Sequence, residues 1–134
     1  MKTNFFKIVS IATAILFIYL TIQLLFLTNS FVQDLGLEPS EAASVLGRRA
    51  AMFMLGLSIL MFSSRNLPHS NTRQYICMAT GLTFFGLSFM GIYEFMRGSV
   101  NSSIFLAVSI ETIFWVSYGI ILLKNRTQQK SIDR

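Results

Sequence analysis

Four apolar runs, each about as long as a membrane-spanning helix, constrain the fold of this chain more than any other feature. They cover residues 5–27, 42–64, 74–95 and 103–123. A helix needs about 20 apolar residues to cross a hydrocarbon core of roughly 30 Å, so each run can cross it once. Because a spanning segment must satisfy its own backbone hydrogen bonds, we expect all four runs to be helices.

The composition predicts a membrane protein with a single domain, residues 1–134. Hydrophobic residues make up 53% of the chain and charged residues 13%, and the mean hydropathy is +0.59. A soluble domain of this length would need a larger polar surface. The first run follows Lys2 and contains Lys7, as a signal peptide would, but it exceeds the usual apolar length of about 7–15 residues, so we interpret it as an uncleaved helix.

The distribution of charge predicts the orientation of the helices. If the N-terminus is cytoplasmic, the cytoplasmic side carries Lys2, Lys7, Arg65, Arg73, Lys124, Arg126, Lys130, Asp133 and Arg134. The other side carries Asp34, Glu38, Glu41, Arg48, Arg49, Glu94, Arg97 and Glu111. Since basic residues concentrate on the cytoplasmic side, we expect an all-α, up-down bundle of four transmembrane helices in the inner or plasma membrane, with both termini cytoplasmic.

The connections fit such a bundle. Residues 29–41 form the longest, and we expect an external loop whose apolar side chains lie at the membrane interface. Residues 66–73 and 98–102 are short turns. The tail, residues 124–134, is polar and basic, and we expect it to fray. The net charge of +5 then indicates lipid head groups as partners rather than nucleic acid.

Glu111 is the residue that points most directly to function. It is the only charged residue between Gly98 and Leu123. At about 1.5 Å per helical residue, Lys124 lies about 20 Å away, more than halfway across the hydrocarbon core. An ionisable side chain at this depth is costly unless it is paired or hydrated, and it marks a candidate functional site.

Arg48 and Arg49 are the candidate partners of this carboxylate. Fifteen uncharged residues separate Arg49 from Arg65, and they span only about 23 Å of helix, so both arginines enter the outer part of the second span. We therefore expect Arg48 or Arg49 to pair with Glu111, Glu94 or both, with Arg48 facing inward and Arg49 facing the head groups. A pair that serves only to fix the helix register is the alternative.

Aromatic residues share a helix face with this carboxylate. Trp115 and Tyr118 lie on the same face as Glu111, which predicts a small, aromatic-lined pocket open to the outer side. The candidates for ligand binding or proton coupling are Glu111, Glu94, Arg48, Arg49, Trp115 and Tyr118. We expect no catalytic residue among them.

The scarcity of cysteine and histidine argues against redox and metal chemistry. Cys77 and His69 are single residues of their types. One chain therefore contains neither an intrachain disulfide nor a two-histidine metal or haem site. We expect no cofactor and no metal, and we expect Cys77 to be a buried small hydrophobe.

Small residues recur in the second and third runs at spacings that permit close helix approach. They are Ala43, Gly47 and Ala51 in the second run and Gly81, Gly86 and Gly91 in the third. We expect them to lie in helix contacts.

Three segments of the chain resemble small bacterial four-helix membrane proteins of uncharacterised function. These segments are Gly36-Leu37-Glu38-Pro39, Leu46-Gly47-Arg48-Arg49 and Gly56-Leu57. The resemblance implies a four-helix membrane fold and supplies no catalytic residues. The small multidrug transporters are also four-helix proteins of similar length, but their working carboxylate belongs in the first helix, where this chain has no acid.

Three classes of function fit these features. The first is a non-enzymatic accessory bundle associated with a lipid or a small ligand, and we favour it because the chain has no nucleophile and base set. The second is an oligomeric, proton-coupled small-molecule transporter that uses Glu111. The third is a lipid-modifying enzyme with Glu111 or Glu94 as acid or base and Arg48 holding an anionic group. The expected partners are the bilayer and either a second copy or another membrane protein.

Overall fold

The structure, a computed structural model, describes residues 5–132, with side chains for residues 5–124. Over this range it contains no strand and five helices: α1 Phe5–Phe26, α2 Thr28–Asp34, α3 Glu41–Ser64, α4 Asn71–Met96 and α5 Ile104–Ile132. Four of them, all except α2, are long and apolar enough to cross a membrane. The predicted all-α class is confirmed, and each of the four predicted runs forms a helix long and apolar enough to cross a membrane.

Serine caps set the starts of α3 and α4. The Ala43 N–H donates to Ser40 Oγ over 3.1 Å, and the Arg73 N–H donates to Ser70 Oγ over 3.3 Å. Each cap satisfies an N–H that has no partner within the first turn. The cap at Ser70 explains why α4 begins at Asn71, a little before the predicted start at residue 74.

The short helix α2 lies within the segment that was predicted as an external loop. It follows α1 directly, and the Thr28 hydroxyl donates to the Leu24 carbonyl oxygen. Thr28–Asp34 contains neither glycine nor proline, so nothing interrupts a helix there. Gly36, with φ of +80°, follows it in the left-handed conformation that glycine adopts readily.

The last helix is longer than predicted. We expected a helix end at residue 123 and a frayed tail, whereas α5 continues to Ile132. Residues 124–132 contain no glycine or proline and include lysine, arginine and glutamine, which favour helix. The charged groups of Lys2, Arg126, Lys130, Asp133 and Arg134 lie outside the residues whose side chains are described.

The helices pack in two pairs, because α1 contacts chiefly α3 and α4 contacts chiefly α5. In the first pair, Ser58 Oγ donates to the Ala14 carbonyl oxygen over 2.9 Å. Further along, a Cβ atom on Gly47 would lie 2.6 Å from Thr28 Cγ2. Only glycine permits this approach, which confirms that Gly47 lies in a helix contact.

Glycines also bring α4 close to α5. A Cβ atom on Gly91 would lie 2.8 Å from Val108 Cγ2, and one on Gly81 would lie 3.2 Å from Tyr118 Cβ. By contrast, a Cβ atom on Gly86 would meet nothing within 4 Å. The prediction of close approach is therefore confirmed for Gly81 and Gly91 and wrong for Gly86.

Aromatic rings join the two pairs. The Phe84 ring stacks on Phe17 of α1 with centroids 5.6 Å apart and on Phe114 of α5 with centroids 5.0 Å apart. The buried core around them comprises Phe6, Val9, Ala14, Phe17, Met61, Cys77, Phe84, Tyr118 and Ile121. Cys77 is buried, as predicted. Large apolar side chains on all four long helices are exposed, as the lipid-facing surface of a membrane protein requires.

Candidate functional site

Glu111 lies near the middle of the apolar span Ile104–Lys124 and is partly buried. Its carboxyl group lies close to the hydroxyl of Ser88 on α4. Ser88 is only 5% exposed, and its Oγ makes no hydrogen bond of normal geometry within the described residues. The carboxylate and a buried, unsatisfied hydroxyl therefore meet where α4 packs against α5.

The predicted ion pair between an arginine of α3 and this carboxylate is not formed. Within residues 5–124, the one salt bridge joins Arg97 Nη1 to Glu94 Oε1 over 3.8 Å. Both Arg48 and Arg49 are exposed, so the expected inward orientation of Arg48 is also wrong. The reason is the packing order: α3 packs against α1, whereas Glu111 lies in the contact between α4 and α5.

Glu94 has a local role at the end of α4. Its partner Arg97 lies three residues further on, and both side chains are substantially exposed, at 35% and 59%. An exposed pair of this kind contributes at most about 1 kcal/mol to stability. The geometry favours the interfacial interpretation of Glu94 over a role in the interior.

The two aromatic candidates have different environments. Trp115 is partly buried and meets the Phe85 ring edge-on, with centroids 5.6 Å apart and an interplanar angle of 84°. Tyr118 is completely buried. It is packed in the core and does not line an open pocket. Of the two aromatic residues of the predicted pocket, only Trp115 is therefore partly accessible to a ligand.

The hydroxyl of Tyr118 belongs to a buried polar cluster. It lies 2.8 Å from Thr13 Oγ1 and 3.5 Å from the sulfur of Met61, while Thr13 Oγ1 lies 2.9 Å from the Val9 carbonyl oxygen. Each hydroxyl has one hydrogen. If Thr13 donates to Val9, Tyr118 donates to Thr13; if Thr13 donates to Tyr118, Tyr118 donates to Met61.

Two polar residues of α1 in this region were not among the candidate residues identified from the sequence. Ser10 and Thr13 are completely buried, and Ser10 Oγ has no hydrogen-bond partner within the described residues. Their spacing of three residues places them on one helix face. That spacing, inside an otherwise apolar run, was a signal that could have identified them.

Arg73 was assigned to a cytoplasmic turn, whereas it lies in the first turn of α4 and is 3% exposed. Its guanidinium carbon lies 4.2 Å from the centroid of the Phe6 ring on α1. This distance is within the range of a cation–π interaction. The contact depends on how the α4–α5 pair is placed against α1, for which the sequence offers no signal.

Within the range that the structure describes, no group of three or more histidine, cysteine, aspartate or glutamate side chains could hold a metal ion. The four long apolar helices indicate a multi-pass membrane protein. Comparisons with protein families, with curated proteins and with solved structures found no match to this chain.

Proposed function

We propose that this protein is a non-enzymatic, multi-pass protein of the plasma membrane that binds a small ligand through Glu111. The observation that carries the proposal is the position of Glu111 beside Ser88, at the contact of α4 with α5. No basic side chain among residues 5–124 forms an ion pair with it. A role in fixing helix register through an arginine therefore has no support.

The chemistry of this position indicates the kind of ligand. A carboxylate deep in a bilayer needs a proton, water or a cationic group beside it. Ser88 supplies one hydroxyl, and the neighbours of Glu111 along α5 are largely apolar. A small ligand with an amine or another hydrogen-bond donor and an apolar body would satisfy both groups.

The charge distribution supports an orientation with both termini cytoplasmic. The order of helix contacts supports an up-down arrangement. From the middle of α1 toward its end, Ala14 meets Ser58 and Thr21 meets Ala51, so residue numbers fall along α3 as they rise along α1. The low fraction of charged residues and the exposed apolar surface support a membrane location.

The test compares Glu111→Gln with Glu94→Gln, which removes an acid from the exposed end of α4. Both variants and the native chain are purified in detergent, and thermal unfolding is followed across a panel of small apolar amines, including benzylamine and phenethylamine. Ligand at 100 times its Kd would stabilise the native chain by about 2.7 kcal/mol. We expect Glu111→Gln to lose this stabilisation and Glu94→Gln to keep it.

Equal stabilisation of all three proteins would overturn the proposed site at Glu111. If Glu111→Gln unfolds without added ligand at a much lower temperature than the native chain, Glu111→Asp provides the second comparison. That variant keeps the carboxylate and should retain part of the ligand response.

A proton-coupled transporter is the second candidate, because the same lack of a basic partner leaves Glu111 able to exchange a proton. In proteoliposomes containing a pH-sensitive dye, substrate addition should drive proton flux in the native chain and not in Glu111→Gln. Flux that is unchanged in the variant would remove this candidate while leaving ligand binding untouched.

A further inference from the structure

The surface between α2 and the start of α3 contains two adjoining hollows. Asn29, Ser44 and Arg48 line both of them. The first hollow is completed by apolar residues at the end of α1, among them Phe26, and the second by Glu41 at the start of α3. A polar hollow thus adjoins an apolar surface at the end of the helices.

The polar groups of these hollows are arranged along one face of α3. Glu41, Ser44 and Arg48 follow one another at spacings of three and four residues, which places them in one row on a helix. Ser44 Oγ donates to Asn29 Oδ1 over 2.9 Å. This bond holds Asn29 of α2 against the row, and because Asn29 accepts through its oxygen, its amide N–H groups are donors for a ligand.

Opposite charges stand at the two ends of this row. Glu41 and Arg48 are seven residues apart, or about 10.5 Å along the helix. Both are exposed, and neither forms an ion pair with any residue in the range 5–124. Helical side chains lean toward the helix N-terminus, so Arg48 leans toward Ser44 and Glu41, in keeping with the hollow that all three line.

A ligand for this row must carry both charges. A purely anionic group at Arg48 would be repelled by Glu41, and a purely cationic group at Glu41 would be repelled by Arg48. A guanidinium binds phosphate through parallel hydrogen bonds, and a carboxylate accepts hydrogen bonds from a primary ammonium group.

The apolar side of the hollow indicates that a ligand with both charges is the head group of an amphiphile. Phe26 and Leu27 are 74% and 47% exposed, and both line the hollow that contains Arg48. Exposed apolar side chains beside a charged row match an amphiphile at the boundary between acyl chains and water.

We propose that Arg48, Asn29, Ser44 and Glu41 bind the head group of a zwitterionic phospholipid with a primary amine, with the phosphate at Arg48 and the ammonium at Glu41. The acyl chains lie along Phe26 and Leu27. This site shares no residue with the Glu111 site, so the failure of either proposal leaves the other standing.

The test is native mass spectrometry of the full chain, titrated with dioleoyl phosphatidylethanolamine or with dioleoyl phosphatidylglycerol. Arg48→Gln should weaken binding of the ethanolamine lipid about tenfold, as expected for the loss of a charged hydrogen bond. Arg49→Gln is the matched control, because it removes the same charge from the adjacent residue, which points about 100° away. We expect it to change binding less than twofold.

Glu41→Gln separates a zwitterionic ligand from an anionic one. We expect it to weaken binding of the ethanolamine lipid about fivefold, and to leave binding of the glycerol lipid unchanged or stronger, because a repulsive charge is removed. This variant also keeps the test decisive if Arg48→Gln fails to fold.

Three results would overturn the proposal: equal effects of Arg48→Gln and Arg49→Gln, equal binding of the two lipids by the native chain, or no effect of Glu41→Gln on the ethanolamine lipid. Soluble phosphoethanolamine distinguishes the source of the head group. We expect it to compete only weakly, and competition as strong as that of the lipid would overturn a membrane lipid as the ligand.

Discussion

The hydroxyl oxygens of Thr13 and Tyr118 lie 2.8 Å apart in the core, although the two residues are 105 positions apart in the chain. They connect α1 to α5 and so join the two helix pairs. The pair is completely buried, and neither hydroxyl can exchange this partner for water without opening the bundle. A polar contact therefore helps to specify how two largely apolar surfaces meet.

The Thr13 and Tyr118 hydroxyls should be energetically coupled. In a double-mutant cycle of Thr13→Val, Tyr118→Phe and the combined variant, we expect a coupling of about 0.6 kcal/mol, the average for hydrogen bonds between membrane helices. Unfolding by dodecyl sulfate in mixed micelles, followed by circular dichroism, measures it. Strictly additive effects would show that the short distance contributes no net stability.

Gly91 and Gly86 should respond differently to alanine. The new Cβ atom would lie 2.8 Å from Val108 Cγ2 at Gly91 and would meet nothing within 4 Å at Gly86. We expect Gly91→Ala to cost about 1–3 kcal/mol through overpacking. Gly86→Ala, in the same helix, should be neutral or slightly stabilising. The same unfolding assay compares them, and a loss of stability at Gly86 as large as at Gly91 would contradict the helix contact described above.

Asn101 should hold the end of α2 in place. The backbone N–H of Asn101 donates to the Leu35 carbonyl oxygen over 2.9 Å. The side-chain Nδ2 of Asn101 donates to the Asp34 carbonyl oxygen over 3.0 Å. Asn101→Ala removes the second bond, worth about 1 kcal/mol, so amide hydrogen exchange in α2 should accelerate about fivefold. Asn66→Ala, in the turn between α3 and α4, is the control and should leave exchange in α2 unchanged.

The proposed orientation predicts which loops can be labelled from outside the cell. In a Cys77→Ala background, Ser102→Cys should react with a membrane-impermeant maleimide on intact cells. His69→Cys should react only after permeabilisation, because basic residues hold its turn in the cytoplasm. The reverse pattern would show that the bundle has the opposite orientation.

The sequence predicted the four long helices well, because an apolar run must be helical and about 20 residues long to cross a bilayer. The sequence-based prediction was wrong at α2 and at the end of α5. In both segments the helix forms because no glycine or proline interrupts it, and hydropathy does not indicate this. The start of α4 was off by a few residues because the cap at Ser70 lies outside the apolar run.

The candidate site was only partly predictable. Glu111 was identified from its depth alone, and the structure brings it beside Ser88. The arginine partner was inferred from matching depths along separate helices. Depth, however, contains no information about which helices are neighbours, and α3 and α5 turned out to belong to different pairs.

The sequence by itself determined the four helices that are long and apolar enough to cross a membrane and the isolated acid at Glu111, because a bilayer requires long apolar runs and makes a charged residue within one of them costly. Only the tertiary structure decided that Tyr118 meets Thr13, that Glu111 meets Ser88 and that Arg48 lies beside Asn29 and Ser44. Lipid chains are as apolar as the side chains of a helix contact, so apolarity alone cannot distinguish the face that meets protein from the face that meets lipid.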